Sequence, residues 1–118
     1  MTEPMTPIEV VETYFRAVRA QDLDLLRSIF ADDMLLVSST VGYLAGGDAI
    51  VAFYGRLLKE RGGADPHPGP LMQFGDVVAF EVDAHHGDEI HEVADFFTVK
   101  DGKVTRLAVY QGPVRKKG

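Results

Sequence analysis

Residues 92–102 read EVADFFTVKDG, and a carboxylate stands in that run where a strand should be apolar. Val93, Phe97 and Val99 alternate as a buried strand face should, and Asp95 shares their face. A carboxylate among buried side chains is costly unless it is paired, kept protonated, or used as an acid or base. A structural role is the plain alternative, with the oxygens accepting hydrogen bonds from a helix N-terminus or a tyrosine. His91, four residues upstream, falls on the same face, and His86 reaches it from the end of the preceding segment. An imidazole titrates near neutrality, so either ring suits proton transfer, and both equally suit the polar rim of a cavity. His86, His91 and Glu89 form only a thin metal set, since a metal needs three or four convergent ligands. No metal and no cofactor is therefore expected. Glu81, Asp83 and His85 alternate to the opposite face, and His67 lies in a proline-rich stretch, so all four read as solvated. The chain has neither a nucleophile elbow nor a phosphate loop.

Two kinds of element must hold these residues. The first half carries helical periodicity. Thr6-Pro7-Ile8-Glu9 is a capping box with proline at the first helical position, and Ile8, Val11, Tyr14, Phe15 and Val18 form one stripe. Asp22 is the expected cap of a second helix that buries Leu23, Leu26, Ile29 and Phe30 and ends at an Ala31-Asp32-Asp33 turn. Met34 to Val41 reads as a short strand. Gly46-Gly47-Asp48 opens a third helix with Ile50, Phe53, Tyr54, Leu57 and Leu58 at helical spacing, and Gly62-Gly63 stops it. Ala64 to Pro70 contains three prolines and reads as a loop.

From Leu71 the period becomes two. Strands are expected near 71–74, 77–86, 89–99 and 103–111, with turns at Gly75-Asp76, Gly87-Asp88 and Asp101-Gly102. Three helices followed by a meander predict an α+β fold, a curved antiparallel sheet wrapped around helices on one face.

Turn lengths fix who faces whom. A two-residue Gly87-Asp88 turn sets Phe80 opposite Asp95, Val82 opposite Val93 and Ala84 opposite His91. For the next hairpin, a two-residue loop would set Asp95 against Ala108 and bring Arg106 to its face. A three-residue Lys100-Asp101-Gly102 loop with a glycine bulge sets Asp95 against Leu107, with Val109 and Gln111 beside it and Arg106 outside. The second keeps the apolar set together and is preferred. It flanks Asp95 with Phe80, Val93, Phe97 and Leu107 and no cation, which predicts a raised pKa.

Composition bounds the rest. A chain of 118 residues suits a single domain spanning 1–118, and 46% hydrophobic content argues against disorder. A net charge of −6 and a pI near 5.1 argue against a nucleic-acid partner. The basic end, 113–118, reads as a disordered tail. Without cysteine there is neither a disulfide nor a thiolate metal site. No membrane span or secretory signal is read, so a cytoplasmic protein is expected.

The runs IEVVETYFRAVRAQDLDLLRSIFADD, GGDAIVAFYGRLL and VADFFTVKDGKVTRLAVYQG, together with their order and spacing, resemble the nuclear transport factor 2-like superfamily from about residue 6 to 112. Within it the chain looks most like ketosteroid isomerases, with SnoaL-type polyketide cyclases near by. The resemblance implies a cone-shaped sheet around the helices, of the cystatin-like kind. It implies that Tyr14 and a neutral Asp95 form an oxyanion hole, with Tyr54 supporting Tyr14. A second supporting tyrosine of some members falls on Phe30. The isomerases' catalytic aspartate falls on Ser38, and serine is a poor base at neutral pH. In the cyclases an aspartate comparable to Asp95 is itself the acid/base, helped by a histidine, for which His91 is the candidate.

Two functions follow as expectations. One is an enzyme that stabilises the enolate of a small hydrophobic carbonyl ligand, an isomerase or a polyketide cyclase. Tyr14, Asp95, Ser38 and His91 would be at its catalytic centre, with Tyr54, Phe30, Phe53, Phe80, Val82, Val93, Phe97, Leu107 and Val109 around the ligand. The other is a non-catalytic ligand-binding or dimerisation module. Ala94, Phe96, Ala108 and Tyr110 point away from the helices on this register, which predicts a homodimer through the outer sheet face.

Overall fold

Capping chemistry sets the helix boundaries. The computed structural model describes residues 3–118. Helix α1 spans Pro7–Ala20, with the Thr6 hydroxyl accepting from the Glu9 amide and Glu9 Oε1 accepting from the Thr6 amide at 2.9 Å. Helix α2 spans Leu23–Ser28 behind the Asp22 cap, and α3 spans Gly47–Arg61 between Gly46 and a left-handed Gly62.

The second helix is shorter than its spacing predicted. Leu23 is more than a third exposed, and Ile29 and Phe30 are buried beyond the helix end. The Ile29 carbonyl accepts from the Val104 amide at 2.7 Å, so the chain enters strand β1, Phe30–Ser38, directly. Ala31-Asp32-Asp33 is therefore no turn. It lies in an irregularity between the paired residues Phe30 and Leu35. The strand expected to reach Val41 stops at Ser38 and doubles back as β2, Gly42–Ala45.

The proline-rich stretch also pairs. Asp65–Pro68 forms β3, an edge strand, where a proline's missing N–H costs no ladder bond. The meander follows as β4 Met72–Phe74, β5 Val77–His86, β6 Glu89–Lys100 and β7 Lys103–Lys116. The basic end expected as a disordered tail is thus strand up to Lys116. Gly112-Pro113 looks like a stop, yet the chain takes it as a bulge opposite Glu92, and Arg115 and Lys116 resume pairing with Ile90 and Glu89.

The sheet order is β2-β1-β7-β6-β5-β3, with β4 also on β5. The fold is α+β, a curved, unclosed sheet against the helices. It is mixed rather than wholly antiparallel, because β1 runs parallel to β7. Between the layers, Phe30, Phe80, Phe97, Leu26, Ile29, Met34, Leu36, Ile50 and Leu107 are fully buried.

The Gly87-Asp88 register holds along the whole β5–β6 hairpin, with Phe80 opposite Asp95, Val82 opposite Val93 and Ala84 opposite His91. Neither expected β6–β7 register holds throughout. Lys100 pairs Lys103 across a two-residue turn, then one extra residue on β7, Thr105, shifts the ladder. Its hydroxyl is bonded to the Thr98 carbonyl at 3.3 Å. Asp95 consequently faces Val109, and neither Leu107 nor Ala108. The bulge keeps Leu107, Val109 and Gln111 on the Asp95 face and leaves Arg106 exposed outside.

Candidate active site

The concave face of the sheet and helices α1 and α3 enclose a cavity of about 230 Å³. Its floor is Tyr14 from α1, Tyr54 from α3 and Asp95 from β6, all buried. Exposed Thr40, Val41 and Arg61 mark the mouth. Leu36, Phe53, Leu57, Leu58, Val82, Val93 and Val109 make the walls largely apolar.

On the floor, Tyr14 and Tyr54 share a hydrogen bond of 2.7 Å between their hydroxyls. That bond uses one of the two phenolic protons. With Tyr54 donating, the Tyr14 proton is free to be given to a ligand oxygen. The Tyr14 ring stands edge-on to Phe97 at 4.9 Å, which fixes where its hydroxyl points. Burial raises the Tyr14 pKa well above the phenol value, and the nearby Tyr54 and Asp95 raise it further. It is a donor at every physiological pH.

Asp95 is 5% exposed, and its Oδ1 has no hydrogen-bond partner among the described residues. Phe80, packed against Phe97 at 5.7 Å, closes one side. Burial alone raises the carboxyl to about 7, with neither a cation to lower it nor a hydrogen bond to hold the anion. The structural alternative, a carboxylate fully bonded to tyrosines or a helix end, is therefore absent here. What stands in the cavity is a carboxyl close to half-protonated at neutral pH.

The rim is different. Gln111 Nε2 donates to His91 Nδ1 at 3.3 Å, which leaves Nε2–H of the same ring to donate to Glu89 Oε1 at 3.3 Å. Both nitrogens of His91 are thereby occupied. His86 stands perpendicular to His91 at 5.0 Å, and its Nε2 accepts from Arg61 Nη1 at 3.2 Å. Burial, then the Arg61 and His91 charges, lower its pKa, so His86 is neutral. The Ser38 hydroxyl accepts from the amides of Thr40 and Val41 at 3.2 and 3.3 Å, which makes it the cap of the turn into β2. Among the described residues no three His, Asp or Glu side chains cluster closely enough to hold a metal, so His86, His91 and Glu89 do not form one.

Tyr14, Asp95, Ser38 and His91 thus meet around one cavity, and Tyr54, Phe53, Val82, Val93 and Val109 line it. Phe30, Phe80, Phe97 and Leu107 do not; they are packed in the core at 0–2% exposure, behind the floor. Arg61, Thr40 and Pro66 line it without having been singled out. Arg61 sits at a helix end, where spacing does not settle direction, and Pro66 lay in an apparent loop.

A model of the SnoaL-like domain matches residues 11–107. Among solved structures, the epoxide hydrolase/cyclase-like enzyme SalBIII of pyran ring formation in the polyether salinomycin superposes with a TM-score of 0.83 at 20% identity, covering 93% of this chain and 95% of that one. A protein from Kribbella flavida assigned as a ketosteroid isomerase gives 0.80 at 19%, covering 95% and 82%. One from Sinorhizobium meliloti assigned as a polyketide cyclase gives 0.77 at 22%, covering 89% and 99%. At these identities the likeness speaks for the fold. No curated protein matches the sequence.

Proposed function

This chain belongs to the SnoaL-like domain family, within the nuclear transport factor 2-like superfamily, and on that premise we propose that it is an acid/base enzyme acting on a small, largely apolar carbonyl compound. One observation carries the reading: a carboxyl with no partner for Oδ1 and a pKa near 7 stands beside a tyrosine donor in an apolar cavity. A pKa near the working pH is what a proton carrier needs.

In this reading ionised Asp95 takes a proton from the carbon next to the carbonyl. The C–H pair becomes the enolate double bond, and the charge that gathers on oxygen is met by the Tyr14 hydroxyl. Asp95, now neutral, returns its proton to the same carbon or to one conjugated with it. Isomerisation and aldol-type cyclisation share this enolate. The hydroxyl of Ser38 is engaged in its turn, and both nitrogens of His91 are occupied. His86, neutral with its Nε2 lone pair on Arg61, is left a donor and no base, so the proton falls to Asp95. Tyr14 and Asp95 then differ in role: the tyrosine binds charge and the carboxyl moves the proton.

The test needs no knowledge of the product. Cyclic ketones incubated with the protein in deuterated water should exchange their α-protons, with a rate that rises with pH around a midpoint near 7. Asp95→Asn should lower the rate ~10²–10⁴-fold and abolish the midpoint. A non-catalytic binding module, the reading that the loss of a base at Ser38 favours, shows no exchange above buffer.

We further propose a homodimer through the outer sheet face. Phe96 and Tyr110 lie there edge-on at 6.0 Å, 40% and 46% exposed. Ala108, expected beside them, is buried between Val37 and Phe96 of the flanking strands, so the patch rests on the two aromatics. Light scattering at micromolar concentration should give twice the chain mass, and a monomer from Phe96→Lys.

A further inference from the structure

The rim carries one cation, and no carboxylate among the described residues is paired with it. Arg61 is the single lysine or arginine of the cavity lining among the described residues. Its one hydrogen bond runs to His86, a neutral acceptor, through Nη1. Arg19, Arg27 and Arg115 find carboxylates, Arg27 holding Asp32 and Asp48 and Arg115 holding Asp83 and Glu92. Arg16, Arg56 and Arg106 do not, but among the described residues only Arg61 is an unpaired cation that lines the cavity. Glu89, the carboxylate that acts on His86 beside Arg61, is committed elsewhere. It accepts from His91 and lies 3.8 Å from Lys116 Nζ. Asp95, buried on the floor, is raised by desolvation, whereas Arg61 is exposed at the mouth.

A guanidinium presents paired N–H groups in a plane that matches a carboxylate, and Nε and Nη2 of Arg61 make no hydrogen bond among the described residues. His86 holds Nη1, which orients the group without cancelling its charge. The mouth is thus built for an anion and the walls for a hydrocarbon.

We propose that the cavity takes an elongate, apolar ligand bearing a carboxylate at the end opposite its reacting group, and that Arg61 at the mouth receives that carboxylate. The carbonyl placed at the floor rests on the proposed function above; the carboxylate at the mouth does not. The substrate class is then a keto acid rather than a neutral ketone.

Two matched probes separate the claims. 2-Naphthol offers a planar body and a hydroxyl for the floor, and 6-hydroxy-2-naphthoic acid adds a carboxylate at the far end. By titration calorimetry at pH 7.5 and low salt, the acid should bind the wild type about tenfold more tightly, the lower end for a charge-assisted bond at an open site. The gap should narrow in high salt. Arg61→Gln should bring the two affinities together, while Arg61→Lys keeps part of the gap because it keeps the charge. Equal affinity for the two probes in the wild type, a gap that survives Arg61→Gln, or no binding of the acid at millimolar concentration would each overturn the inference. Tyr14→Phe reports on the floor independently: if it leaves both affinities unchanged while the Arg61 gap persists, the enolate reading fails and the carboxylate site stands.

Discussion

The floor and the rim of this cavity solve the same problem in opposite ways. At the rim polar groups find one another: Gln111 with His91, His91 with Glu89, Arg61 with His86, Ser38 with the amides of its turn. Of the buried rim atoms among the described residues, only His86 Nδ1 is left without a partner. On the floor Asp95 Oδ1 has no hydrogen-bond partner among the described residues, so the carboxyl meets its burial by a change of proton affinity instead. On the proposed reading, rim polarity sets what is admitted, and floor polarity sets what is done. A carboxyl whose pKa has been moved by desolvation is a reservoir of reactivity that the paired rim groups lack.

The comparison breaks first, and by most, at Asp95. Its carboxyl titrates near 3.8 when the chain is unfolded and at about 7 when it is folded. The folded state therefore holds the extra proton between those values, and stability falls as pH rises through that window, by up to roughly 4 kcal/mol. Above pH 7 the full penalty is in place. Asp95→Asn carries no such proton, so its stability relative to wild type should climb from pH 4 to pH 8 by that amount. Urea unfolding of both proteins at four pH values measures it; parallel curves would mean that Asp95 is not desolvated in solution.

A smaller effect is expected at Tyr54. Replacing it with Phe leaves the Tyr14 hydroxyl buried beside a carbon, which costs about 1–3 kcal/mol for the lost partner. If Tyr14 is the donor in that bond, its proton then has one buried acceptor left close by, the Asp95 carboxylate, and the carboxyl pKa should fall. Carboxyl NMR should show that midpoint moving below 7 in Tyr54→Phe. An unmoved midpoint would mean that Tyr54 is the donor and that the Tyr14 proton is already free in the wild type.

Legibility in the sequence follows the same division. Asp95 could be placed because β5 and β6 are joined by a two-residue turn with Gly87 at φ 60°, and a fixed turn fixes every pair along the hairpin. Its partner on β7 could not. The ladder there slips at Thr105 and again at Gly112-Pro113, while β7 also pairs with β1, and a bulge set by a distant strand leaves no local mark. Phe30 shows the same limit, since its helical spacing lost to pairing with Val104. Tyr14 and Tyr54 were within reach because helix periodicity turns both inward. Apolar character alone could not tell cavity wall from core, which is why Phe80, Phe97 and Leu107 were expected at the ligand and lie behind it. At the rim Arg61 reads as an ordinary solvated helix end, because what sets it apart is its place in the cavity lining, which only the tertiary fold fixes.

The smallest effect should come from Ser38, and its size bears on where catalysis resides. Its hydroxyl accepts from two backbone amides, which is what a turn-capping serine does. Ser38→Ala removes that acceptor at a partly solvated site, where water can replace it, so the loss should be about 1 kcal/mol. If the serine is only a cap, α-proton exchange keeps its wild-type rate and its midpoint near 7. Suppose instead that exchange falls a hundredfold with unchanged stability. A serine engaged by two amides would then be handling the proton, Asp95 would revert to a neutral donor paired with Tyr14, and the working groups would lie on the rim. Stability and exchange rate measured on one variant thus decide between a cap and a carrier, and the buried, unpartnered carboxyl of Asp95 argues for the cap.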